Sequence, residues 1–255
     1  MTICAGFHCG DGIVLCADTQ ETVSNYIKRN VPKLEVRPRN SESPDYKGPK
    51  AIFAGAGDGD FIDHLIEKLW SAMKSKGTMD EMVEAIEKQL TFRYKQLVPI
   101  YTGGMPEAVF LVGLYSAEGD LELLKINGAI VKREVLLDAI GCGDILATYV
   151  LNHLVGPKSS FSSAVPFALY MISEVKENVR ECGGETHLCT VDYDGKINRL
   201  TQAVIESRVQ RIKEAEIIAR QIGAATIENG PATDAFSEWL DNRIKRLKEI
   251  KAMQP

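Results

Sequence analysis

Two hydrophobic periods alternate along the chain. Residues 2–9 and 13–17 are short apolar runs on either side of Gly10-Asp11-Gly12, a pattern that predicts a β-hairpin at the very start. Two registers are open. A Gly10-Asp11 loop sets Thr2 opposite Thr19, and an Asp11-Gly12 loop sets it opposite Glu21. Either brings Asp18 close to the chain start, behind five apolar residues, where a carboxylate needs a partner. Residues 22–29 are polar and read as a connection or short strand. Residues 33–36 read as another strand, 37–50 as a Pro- and Gly-rich surface loop, and 51–57 as a small-residue strand running into glycine.

The period then lengthens to that of a helix. Phe61, Ile62, Leu65, Ile66, Leu69, Trp70 and Met73 share one face, with Asp58 or Asp60 placed to cap it. After Gly77-Thr78 a second face carries Met82, Ile86, Leu90 and Leu97. Strands return at 108–115 and 121–126 around Glu118-Gly119-Asp120, and a further extended run covers 130–140. Helices follow at 145–154 and 164–179, the latter with Ala168, Met171, Ile172, Val175 and Val179 on one side. A last hairpin joins 185–193 to 196–200 around Asp194-Gly195, and from Gln202 the chain reads as helical, broken at Asn229-Gly230-Pro231. Runs of antiparallel strands separated by helix pairs predict an α+β protein with helices over the outer faces of stacked sheets.

Composition narrows the class. With 255 residues, 45 % hydrophobic and 25 % charged, the chain can bury a sizeable core. A net charge of -5 gives no reason to expect nucleic acid or an anionic membrane as partner. No apolar run approaches the roughly 20 residues of a membrane-spanning helix, and no signal peptide pattern is present, so a cytoplasmic location is expected. The six cysteines (Cys4, Cys9, Cys16, Cys142, Cys182, Cys189) form no Cys-x-x-Cys pair and read as buried, reduced thiols. The four histidines show no metal-ligand spacing, so neither a metal nor a cofactor is expected.

The candidate chemistry lies at residue 2. Threonine is small enough for Met1 to be trimmed, which leaves a hydroxyl and a free α-amine on one residue. An α-amine with a pKa of roughly 7.7–8.0 is partly neutral near pH 7 and can take the hydroxyl proton. That is the threonine form of a nucleophile with its own base. A nearby ammonium such as Lys33 would favour the neutral amine, and Asp18 would hold that lysine.

These residues resemble the proteasome β-subunit family of N-terminal nucleophile (Ntn) hydrolases. The matching pieces are Thr2-Ile3-Cys4-Ala5-Gly6, the stretch 11–18, Tyr26-Ile27, Val31-Pro32-Lys33, and Phe53-Ala54-Gly55-Ala56-Gly57. Ile140-Gly141-Cys142-Gly143, Cys182-Gly183-Gly184 and Asp194-Gly195 complete the set. The resemblance implies a four-layer αββα sandwich over 1–201, with 202–255 as a helical C-terminal extension packed on the body or on a neighbouring subunit. It implies Thr2 as nucleophile, Asp18 and Lys33 as the groups that tune it, and the Gly55 backbone N–H as oxyanion donor. It also implies a peptide or unfolded-protein substrate and a homo-oligomeric ring or other enclosed assembly.

The chain departs from the family pattern at three polar positions. Cys142 and Cys182 stand where the family has serine, and Val179 where it has aspartate. A thiol is a poorer donor than a hydroxyl, and valine gives the proton relay nothing unless Asn178 or Glu181 substitutes. Two alternatives to a threonine peptidase therefore stand: a non-catalytic structural subunit, and a hydrolase of small amides on the same scaffold. In the tail, 237–253 reads as an amphipathic helix with Leu240, Ile244 and Leu247 on one side and basic residues on the others.

Overall fold

The computed structural model describes residues 2–23, 27–39, 46–97, 104, 106–133, 135–156 and 158–229, with the single positions 238, 241 and 245. Met1, Tyr26, residues 40–45 of the 37–50 loop, the break at 230–231 and nearly all of the amphipathic stretch 237–253 fall outside them. Residues 1–206 form one compact unit and residues 207–255 a second.

The opening hairpin is present. β1 (Ile3–Cys9) and β2 (Gly12–Asp18) pair antiparallel with Cys4 opposite Ala17 and Cys9 opposite Gly12, so the loop is Gly10-Asp11. Gly12 takes φ +145, where a Cβ would lie 2.1 Å from the Val191 carbonyl oxygen. β1 is not at an edge. It lies between β2 and β10 (Leu137–Gly141) in a sheet ordered β10-β1-β2-β11-β12, with β11 at Thr186–Asp192 and β12 at Ile197–Arg199.

The second five-stranded sheet runs β5-β6-β7-β8-β9, from Leu34–Arg37, Lys50–Gly57, Ala108–Tyr115, Leu121–Asn127 and Ile130–Lys132. A third sheet pairs β3 (Gln20–Val23) with β4 (Ile27–Asn30). The expected four-layer αββα sandwich of two sheets is therefore corrected: among the described residues the fold is α+β with three antiparallel sheets and five helices. The cause lies at Thr19, whose N–H turns to the Gly183 and Glu185 carbonyls (3.3 and 3.1 Å). The chain leaves the large sheet there and pairs with itself. The expected strand over 130–140 is also two strands. β9 pairs with β8, whereas β10 pairs with β1 in the other sheet.

The helices follow the apolar periodicity. α1 (Gly59–Met73) buries all seven residues expected on its face, and Asp58 is its cap, accepting from Phe61 N–H. α2 (Met79–Leu97) buries Met79, Met82, Val83, Ile86 and Leu90, with Leu97 half-buried. Both pack on Phe53, Phe110, Val112, Leu124 and Ile126 of β6–β8. Ile13, Leu15 and Ala17 of β2 share a second core with Ile52, Ala54, Leu111 and Leu123. α3 (Asp144–Leu154) and α4 (Phe161–Asn178) bury Leu151, Ala168, Leu169, Met171, Ile172 and Val175. α5 covers Gln202–Asn229. No helix among the described residues is long and apolar enough to cross a membrane.

Candidate active site

The site starts from the register of the hairpin. Because β2 ends at Asp18 beside the start of β1, the Asp18 carboxylate reaches the Ile3 backbone N–H, 3.1 Å from Oδ1. Asp18 is fully buried, so its charge must be met locally. Lys33, which enters β5, supplies the cation: its Nζ lies 2.6 Å from Asp18 Oδ1 and 2.5 Å from the Gln20 carbonyl. The second oxygen, Oδ2, accepts the Gly183 N–H at 2.9 Å. One carboxylate thus ties together the peptide after Thr2, the lysine and the loop that precedes β11. Such charge-assisted bonds are the stronger kind.

The Gly141-Cys142-Gly143 turn closes on the same residue from the β10 side. Gly141 has φ +99, and a Cβ there would fall 2.1 Å from the Thr2 carbonyl oxygen. A Cβ on Gly143 would lie 3.2 Å from both Cys182 Sγ and Ile3 Cβ. Only glycine permits this approach of backbone to backbone. Between the two glycines, the Cys142 thiol donates to the Thr2 carbonyl at 3.3 Å and touches Cys182 Sγ at 3.5 Å.

Five of the six free cysteines are buried, as expected, but Cys142 is exposed. The hydrogen bond from Cys182 holds the Cys142 thiol down at about 6 despite its partial burial. The same contact, with desolvation, pushes Cys182 up.

Thr2 itself is 7 % exposed and borders two clefts. One, about 380 Å³, is lined by Lys33, Gly55, Val31 and Ile62 together with Glu21, Glu35, Asp58, Asp60 and Asp63. Burial, then the neighbouring Glu35, Asp60, Glu21 and Glu67, raise the Asp63 carboxyl. The other cleft, about 720 Å³, runs past Cys142, Lys125, Asn127 and Glu107.

The expected residues Thr2, Asp18, Lys33, Gly55, Cys142 and Cys182 are thus brought into one neighbourhood. Gly55 differs in its role. Its N–H donates to the Lys33 carbonyl at 3.3 Å, because the β5–β6 ladder sets Leu34 opposite Ala54 and carries Gly55 past Lys33. Asn178 does not replace the missing aspartate: it is exposed and its amide donates to Glu174 O. Sequence reasoning missed Gln20, whose amide donates to the Glu181 carbonyl at 3.0 Å and whose own carbonyl receives Lys33. It also missed the carboxylates of the smaller cleft as a group, which come from three separate segments. Among the described residues no group of three or more His, Cys, Asp or Glu is arranged to hold a metal ion.

No family model and no curated protein matches the chain. Solved structures do. Anbu (ancestral beta-subunit) from Yersinia bercovieri superposes with a TM-score of 0.71 at 11 % identity, over 86 % of this chain and 97 % of that one. A Gly-1 mutant of Anbu from Hyphomicrobium sp. strain MC1 gives 0.69 at 12 %, over 87 % and 97 %. The chain from the helical assembly of the Anbu complex of Pseudomonas aeruginosa gives 0.65 at 14 %, over 86 % and 96 %.

At such identities the likeness is one of fold. It corrects the assignment suggested by the sequence: the similar structures are Anbu proteins, proteasome-like but distinct, and the Ntn-hydrolase family is not directly supported. The reason is physical. Gly12, Gly57, Gly141 and Gly184 have left-handed φ, and Gly55 and Gly143 press against side chains. These residues are set by the scaffold, so they do not distinguish the groups that share it.

Proposed function

We propose that the chain is a threonine-type amidohydrolase of peptides, acting from Thr2 once Met1 has been removed. The observation that carries this reading is the buried Asp18 carboxylate, which joins Lys33, Ile3 N–H and Gly183 N–H beside a threonine that borders two clefts.

The α-amine of Thr2 takes the proton from Oγ1, and the oxygen attacks the substrate carbonyl. The amine returns the proton to the leaving nitrogen, and an ester to Thr2 remains. Water then hydrolyses the ester with the amine again as base. Lys33 favours the neutral amine and faces the charge that develops on attack. Gly55 N–H takes the oxyanion by exchanging its long bond to the Lys33 carbonyl for a shorter one to substrate. Because that ladder bond must first be given up, the gain is less than the about 3–4 kcal/mol of a preorganised oxyanion donor. Cys142 lies 3.3 Å from the Thr2 carbonyl and donates to it only while protonated. The buried thiols suit a reducing compartment, the cytoplasm. By analogy with the helical assembly named for the Pseudomonas aeruginosa protein, the chain works as a homo-oligomer.

The test is direct. Intact mass reports whether Met1 is gone, and an electrophile that captures N-terminal threonine reports the nucleophile. An adduct that disappears in Thr2→Ala, with peptide cleavage lost alongside it, is the expected result. Retained Met1 with no adduct would leave the second reading, a non-catalytic subunit. That reading draws on Val179, an apolar residue where the relay calls for a polar one. A panel of peptides against small amides separates peptidase from small-amide hydrolase.

A further inference from the structure

We infer that Cys142 and Cys182 are a peroxide-reactive dithiol that closes to a disulfide beside Thr2. The two sulfurs lie 3.5 Å apart, from residues forty positions distant in sequence. The segments that carry them are closely packed: a Cβ on Gly143 would meet Val175 Cγ1 at 2.5 Å and the Cys182 sulfur itself at 3.2 Å. A disulfide needs the sulfurs at about 2.05 Å, a closure of about 1.5 Å. Each cysteine adjoins glycine, Gly141 and Gly143 on one side and Gly183 on the other.

The two thiols are unequal in the way the reaction needs. Cys142 is exposed and lines the larger cleft, so a small hydroperoxide reaches it. Cys182 is 4 % exposed and is reached through Cys142. The lowered Cys142 thiol supplies thiolate at neutral pH, and the thiolate is the nucleophile.

The chemistry balances with a hydroperoxide as oxidant. Cys142 Sγ attacks one peroxide oxygen, the O–O bond breaks, and a sulfenic acid forms while the other oxygen leaves as hydroxide and is protonated to water. Cys182 Sγ then attacks the sulfenic sulfur. The S–S bond forms, the S–O bond breaks, and the hydroxyl leaves as water with the Cys182 proton. Two thiols give up two electrons and two protons, and one hydrogen peroxide becomes two waters.

Closure draws the Cys142 sulfur toward Cys182 and out of its 3.3 Å contact with the Thr2 carbonyl. If Thr2 is the nucleophile proposed above, oxidation therefore lowers its activity, and reduction restores it. This consequence rests on that proposal, whereas the dithiol itself does not.

The experiment treats the folded full-length protein with hydrogen peroxide, then measures intact mass and maps peptides without reduction. The expected result is loss of two hydrogens, a peptide linking Cys142 to Cys182, and reversal by dithiothreitol. Cys182→Ser should instead accumulate a sulfenic acid on Cys142 that dimedone traps, and Cys142→Ser should give neither product. Circular dichroism confirms that both variants fold. If both thiols stay open to alkylation after peroxide, or if the oxidation falls on other cysteines, the inference is wrong.

Peptide cleavage is followed in parallel. A fall of tenfold or more that dithiothreitol reverses supports the gate, and unchanged cleavage by the linked protein refutes it. A linked protein with no cleavage in either redox state counts against Thr2 catalysis, not against the dithiol.

Discussion

Replacing Lys33 by methionine isolates the interaction on which the site depends. Asp18 is fully buried and the Lys33 side chain is 7 % exposed, so the pair sits largely out of water. Removing one member of such a pair leaves an uncompensated charge, which costs about 3–5 kcal/mol. The Ile3 and Gly183 N–H groups still face the carboxylate, so the lower end, about 3 kcal/mol, is the working figure. With a urea slope near 3 kcal/mol per molar for a unit of this size, the midpoint should fall by about 1 M. The double variant Lys33→Met with Asp18→Asn removes the stranded charge and should recover about 2 kcal/mol relative to additivity. Urea unfolding followed by circular dichroism measures all four proteins, and threonine capture should be lost in both single variants. A midpoint shift under about 0.3 M for Lys33→Met, or ~1 kcal/mol at that slope, would refute the reasoning, as would strict additivity in the cycle.

Other outcomes follow from single contacts. Gly141→Ala forces a side chain into left-handed φ and onto the Thr2 carbonyl. It should cost at least about 1–3 kcal/mol and reduce threonine capture more than Gly128→Ala, a left-handed glycine where a Cβ would meet only the Tyr94 ring and hydroxyl at 4.0 Å. The Cys142 thiolate is the form present above about 6. Its alkylation by iodoacetamide should therefore rise through that pH and level off, and Cys182→Ala, which removes the donor, should move the midpoint upward. The carboxylates of the smaller cleft outnumber Arg29 and Lys33, so cleavage should favour peptides with Lys or Arg over Asp or Glu next to the scissile bond. Asp63→Asn should weaken that preference when kcat/KM is compared across the panel. Asp58→Ala removes the α1 cap and should cost about 1 kcal/mol in thermal or urea unfolding.

What the sequence disclosed, and what it withheld, divides by range. The α1 face was legible to the residue because burial of a helix face is a local periodic signal. The hairpin was legible down to two registers, and the β10 and β11 partners of its strands were needed to hold it in one. The strand over 130–140 was misread as one element because nothing local marks its passage from one sheet to the other. Arg133, at that crossing, is held by Glu122 and Asp80 from distant segments. The site behaved alike. Asp18 and Lys33 were expected together and are together. The ladder that occupies the Gly55 N–H, and the three segments that make the smaller cleft acidic, are tertiary facts with no local trace.

The position of β1 inside its sheet bears on when the protein can act during synthesis. The neighbours of Thr2 come late in the chain after it: β10 ends at Gly141, and the Gly183 N–H and β11 follow. At about 5–20 residues per second, the wait from Thr2 to the end of β11 is ~10–40 s. Until then Asp18 lacks the Gly183 donor, and the Cys142 side of the larger cleft is the last part of that cleft to be made. If Thr2 is the nucleophile proposed above, the order of synthesis keeps it incomplete until those later segments have joined it.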